Sequence, residues 1–84
     1  MDQQKIKQEL QRIYQLPSEP YWYIECVKWA KIAQEYIKQG KSSEEAGFIA
    51  AKEIWKIERL VELKSLNQDI SITLDKIIEL LKNE

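Results

Sequence analysis

Apolar residues recur at helical spacing along nearly all of this 84-residue chain. Three short stretches interrupt them: Pro17-Ser18-Glu19-Pro20, Gly40-Lys41-Ser42-Ser43 and Asn67-Gln68-Asp69. No period-2 alternation is long enough to pair as a sheet, with Ile70-Ser71-Ile72 read as a helix entry, so the pattern specifies short helices stacked on one another. The expected fold is therefore all-α: a compact four-helix domain over residues 1–84, with a long central antiparallel hairpin and shorter flanking helices.

The first segment is expected over Gln3 to Gln15, burying Ile6, Leu10, Ile13 and Tyr14 in one stripe. Asp2 is its candidate N-cap and Met1 with Ile6 its staple. Pro17 disfavours helical geometry at Leu16 and stops it. Ser18 is placed to cap the second segment, with Pro20 in its first turn, where a missing N–H is harmless. Gly40 supplies the left-handed position that ends that segment after Gln39. Along it Trp22, Cys26, Trp29, Ala33, Tyr36 and Ile37 fall on one arc, widened by Tyr23 and Ala30. Glu25, Lys28, Lys31, Glu35 and Lys38 lie opposite.

Ser42-Ser43-Glu44-Glu45 is a capping box with two acids at the positive end of the helix dipole. From it the third segment is expected to run as far as Leu66, with Asn67-Gln68-Asp69 ending it. Thr73 is the expected N-cap of the fourth, with Ile72 and Ile77 as staple and Leu74, Ile77, Ile78 and Leu81 as its stripe. Ala46, Gly47, Ala50 and Ala51 give the third segment a small-residue face. Since glycine inside a helix is unfavourable by up to ~1 kcal/mol relative to alanine, Gly47 implies a close approach by another backbone, with the bulky face of the second segment meeting the small face of the third.

A domain this small is usually reinforced by disulfides, a metal or association. Cysteine occurs once, at Cys26, and histidine is absent, so neither an intrachain bridge nor a zinc-type ligand set is available. Association stays open. The same inventory argues against an enzyme, since no imidazole titrates near neutrality. Cys26, between Trp22 and Trp29, reads as a buried structural thiol of raised pKa rather than a nucleophile. The Glu58 and Glu62 pair lacks the Glu-x-x-His partners of helix-bundle metal sites. No cofactor and no small-molecule substrate is implied.

Net charge is −1 with acids and bases interspersed, which gives no long-range attraction for nucleic acid or an anionic membrane. Lys52, Lys56 and Arg59 share a face, as do Lys28, Lys31 and Lys38, but acids at helical spacing flank both sets. There is no apolar run of the ~20 residues that a membrane span needs and no signal-like apolar stretch near the N-terminus, so a cytoplasmic setting is expected, where a lone thiol stays reduced.

The third segment is apolar on two sides. Ala46, Ala50, Ile54, Ile57 and Val61 form one face, and Phe48, Ala51, Trp55 and Leu66 the other. Either another helix of the chain covers the second face or a partner does. The candidate interface comprises Phe48, Ala51, Trp55, Arg59, Glu62 and Leu66. The expected role is that of a protein–protein interaction module, a small accessory, adaptor or regulatory subunit binding a protein partner or its own copy. A small DNA- or RNA-associated regulator is the alternative.

Overall fold

The computed structural model of the chain describes residues 3–57 and 66–82, the side chains of Leu66 and Asn67 excepted. Within them lie α1 (Gln3–Tyr14), a π-helical turn (Trp22–Val27) that leads directly into α2 (Lys28–Lys38), α3 (Ser43–Trp55) and α4 (Leu66–Lys82). The described residues are all helix and connection, with no strand, and the fold is an all-α, four-helix one. α2 packs most extensively on α3, α3 on α4, and α1 closes the group by packing on α4 and the π turn.

Three of the helix ends follow from the sequence in detail. α1 stops as Pro17 requires, with Gln15 in the left-handed region at φ 51°. The Leu16 N–H then donates to the Gln11 carbonyl at 3.0 Å, the six-to-one bond of a Schellman motif, and Leu16 turns inward. Gly40, at φ 102°, does the same for α2: its N–H donates to Ile37 O at 3.0 Å and Lys41 N–H to Tyr36 O at 3.1 Å. At the start of α3 the Ser42 hydroxyl accepts from Glu45 N–H at 3.2 Å. The expected Asp2 cap and Met1 staple lie outside the described residues.

Three boundaries differ from expectation. The third helix ends at Trp55 rather than near Leu66, because Lys56 takes the left-handed region at φ 58° and ψ 36°. Its ammonium donates to the Glu53 carbonyl at 3.2 Å, meeting an acceptor that the helix end leaves open. The hairpin is consequently shorter than expected, and α4, with 17 residues, is the longest helix among the described residues. That helix begins at Leu66, so Asn67-Gln68-Asp69 opens a helix instead of closing one, with Asp69 in the favourable first turn. Thr73 lies inside α4 and is buried; it caps nothing, and its hydroxyl donates to the Asp69 carbonyl at 2.8 Å, the back-bond by which a helical threonine satisfies itself.

The second helix departs furthest. Ser18 does not cap it. The chain stays extended through Tyr21 (φ −72°, ψ 144°), and the first turn closes on the fifth residue: Cys26 N–H donates to Tyr21 O at 3.0 Å. With that wider turn, Trp22 is followed inward by both Cys26 and Val27. Tyr23, expected on the apolar arc, is carried outward. The remainder of the arc holds through Trp29, Ala30 and Ala33, all buried, with Tyr36 half-buried and Ile37 at the margin.

All four α-helices meet at Gly47. A Cβ built there would lie 2.6 Å from the Tyr14 hydroxyl of α1, 2.9 Å from Ile70 Cγ2 of α4 and 3.3 Å from Trp29 Cζ2 of α2. The close approach that the sequence implied is real, but side chains make it, two of them aromatic, not another backbone. Trp29 Nε1–H donates to the Gly47 carbonyl at 3.0 Å in a fully buried contact. The Tyr14 and Trp29 rings meet edge to face with centroids 6.0 Å apart.

Gly47→Ala gains helix propensity but overpacks this junction, and overpacking of a tight core costs about 1–3 kcal/mol. The expected result is a lower thermal midpoint with helicity retained. The Tyr14 hydroxyl is buried without a hydrogen-bond partner. Tyr14→Phe should therefore be neutral or stabilising alone, and should recover part of the loss when combined with Gly47→Ala. Thermal melts of the two single variants and the double variant check both points.

Candidate protein interface

The residues expected to form an interface divide three ways. Ala51 is fully buried and contributes no surface. Phe48 and Trp55 are half-buried. Arg59 and Glu62 lie outside the described residues, as does the Leu66 side chain. Trp55 is engaged within the chain: its ring packs against Tyr14 with centroids 5.7 Å apart, and its Nε1–H donates to Glu25 Oε1 at 3.0 Å. The aromatic end of that face is thus laid on α1 and the π turn.

Glu25 is the residue whose role the sequence concealed. Helical spacing placed it on the outer, charged face. In the wider π turn it is partly buried, and its second oxygen accepts the Tyr21 N–H, one of the donors that the start of the helix leaves open. One carboxylate thereby holds the entry of the second helix and the exit of the third. The only sequence signal was an acid in a first turn, which is too common to single out.

Burial at Cys26 is complete. Desolvation pushes its thiol up to about 12, with the nearby Glu25 carboxylate adding to the rise and Lys7 opposing it. At neutral pH the group is a thiol, not a thiolate, and has no access to an electrophile. Among the described residues, no three His, Cys, Asp or Glu side chains converge as a metal site would need, and no helix is long and apolar enough to cross a membrane. A shallow groove of about 300 Å³ runs between α2 and α4, lined by Gln34, Ile37, Lys38, Ser71, Leu74 and Ile78 among others.

The outward side of the π turn offers the clearest surface feature. Tyr21, Tyr23 and Ile24 are 69%, 59% and 67% exposed, whereas Trp22 between them is buried. Single exposed apolar residues are ordinary, but three large ones within four positions form a patch. The buried neighbours Trp22, Cys26 and Val27 fix this segment from beneath, so the patch sits on a firm base. No family model matches the chain, nor does any curated protein or solved structure.

Two measurements check the local structure. Glu25→Ala and Trp55→Phe each remove one partner of a partly buried, charge-assisted hydrogen bond, and contacting residues couple by about 0.5–3 kcal/mol in double-mutant cycles. The expected outcome of denaturant titrations is a coupling near 1 kcal/mol, and strict additivity would contradict the contact. Cys26 gives a pH prediction. Its pKa is raised in the folded state, so its contribution to stability is complete below the ordinary thiol value of 9.0 and is lost as pH climbs toward about 12. Between those limits the stability of the wild type should fall more steeply with pH than that of Cys26→Ala, and native thiol labelling at neutral pH should be no faster than global unfolding.

Proposed function

We propose that this chain is a protein–protein interaction module, a small accessory, adaptor or regulatory subunit, and that it engages its partner through Tyr21, Tyr23 and Ile24. The observation that carries the reading is the exposure of these three large side chains on a turn whose residues Trp22, Cys26 and Val27 are buried. Tyrosine is among the residues that dominate binding energy at interfaces, because it brings a large contact area at small entropic cost. Three such residues supply the centre of an interface, and the polar residues around them its rim. The partner is a protein of a larger assembly or a second copy of the chain. A cytoplasmic setting belongs to the same proposal, as does a non-enzymatic role, which the inaccessible Cys26 thiol supports.

A photo-crosslinking amino acid placed at position 23, and at the exposed α4 residue Lys76 as control, tests this in the cells that express the chain. The expected result is a discrete protein adduct from position 23 and none of that mass from position 76. Indistinguishable labelling from both positions would refute the reading.

A further inference from the structure

One side chain joins the exposed patch to the end of α3. Tyr21 opens the patch, and its backbone is held from within the turn. Its N–H donates to Glu25 Oε2, and its carbonyl accepts Glu25 N–H at 3.2 Å and Cys26 N–H at 3.0 Å. Glu25 follows Ile24 directly, so its carboxylate ties one edge of the patch to the other. The second oxygen accepts from Trp55 Nε1–H at 3.0 Å. Trp55 is the last residue of α3, just before Lys56 enters the left-handed region, and its ring lies on Tyr14 of α1. Tyr21, Glu25, Trp55 and Tyr14 therefore form a continuous line from the surface to the packed helices.

A carboxylate has acceptor sites enough for both donors, so the two bonds do not compete. They reinforce each other, because the rotamer freedom of Glu25 is lost once and serves both contacts. Trp22, Cys26 and Val27 hold the inner side of the turn, whereas Tyr21, Tyr23 and Ile24 have most of their surface in water. Placement of these three follows the backbone that Glu25 holds. We propose that Glu25 is a positioning residue for this surface, and that through it the end of α3 regulates partner binding. With the Trp55 indole on the carboxylate, Tyr21 stays in register with Tyr23 and Ile24. With the indole withdrawn, the Tyr21 end of the turn opens and the three side chains are no longer presented together. Coupling of this kind is reciprocal, so a partner seated on the ordered turn also tightens the Trp55 contact. The proposal rests on the interaction reading and adds to it a means of regulation.

The test compares wild type with Trp55→Phe, which keeps a ring against Tyr14 but loses the N–H donor, and with Glu25→Ala and Glu25→Gln. Ile77→Val, at a buried position of α4, is the control that lowers stability by another route. Amide exchange is followed by NMR on the free chain, and the photo-crosslinking residue at position 23 reports binding. Trp55→Phe and Glu25→Ala should speed Tyr21 N–H exchange by about fivefold or more and lower the adduct yield. Glu25→Gln, whose amide oxygen still accepts, should recover part of both, and Ile77→Val should leave both near wild type. Unchanged Tyr21 exchange in Trp55→Phe would overturn the proposal even if the adduct were lost, since Trp55 would then meet the partner itself. Faster exchange with an undiminished adduct would also overturn it, because the surface would not depend on the contact. Equal effects from Ile77→Val would reduce Glu25 to a contributor to stability alone and overturn it too. No adduct from the wild type would instead refute the interaction reading, and the proposal with it.

Discussion

The hydrogen bond from the Trp29 indole to the Gly47 carbonyl is the contact on which the other packing depends. A helical carbonyl gives one lone pair to the amide four residues on and has a second to offer. Trp29 takes that second lone pair at 3.0 Å in a buried contact. It reaches it only because residue 47 has no side chain. The same gap admits the Tyr14 hydroxyl from one side and Ile70 from the other. One missing Cβ therefore registers α1, α2 and α4 against α3 at a single level. A small domain without a disulfide has few other ways to fix four helices in one arrangement.

Other features follow from that registration. With Tyr14 held at the junction, its ring also backs Trp55, and Trp55 in turn presents its indole N–H to Glu25. Glu25, partly buried in the π turn, accepts it. The Trp22 indole N–H is buried without a partner, which is unfavourable by about 1–3 kcal/mol. Burial of Trp22, Cys26 and Val27 together offsets it. The outward display of Tyr21, Tyr23 and Ile24 is the other consequence of the same turn, so the proposed interface and the core share one cause. The Arg12 contact with Asp69, at 3.3 Å and partly exposed, adds little to a packing already decided inside.

The sequence made legible whatever depends on local chemistry. Pro17, Gly40 and the Ser42 box each mark a helix end by a backbone requirement of their own, and those ends fall where expected. Ile6, Leu10, Ile13, Trp29 and Ala33 are buried as their spacing implies, and Gly47 was recognisable as a point of close approach. What escaped depends on partners distant in sequence. Lys56 enters the left-handed region with no glycine to announce it. Thr73 looks like a cap until its hydroxyl is seen to have the Asp69 carbonyl one turn back. The π turn has no residue signature; it exists because Trp22 and Val27 both find space in the core. Regular α spacing without that turn places Glu25 on the solvated face and Tyr23 on the apolar arc. The surface proposed for a partner lies at the entry of the second helix, while Arg59, Glu62 and the Leu66 side chain of the face expected on the third lie outside the described residues.

Native-state hydrogen exchange of the three tryptophan indoles, followed by NMR with denaturant, tests the central contact most directly. If Trp29 and Gly47 fix the four helices together, the Trp29 Nε1–H should exchange only through global unfolding, with a free energy equal to that of the whole domain. The Trp55 indole, half-buried at the end of α3, should exchange through a smaller opening. A Trp29 indole that exchanges as readily as that of Trp55, while the domain remains folded, would contradict the account.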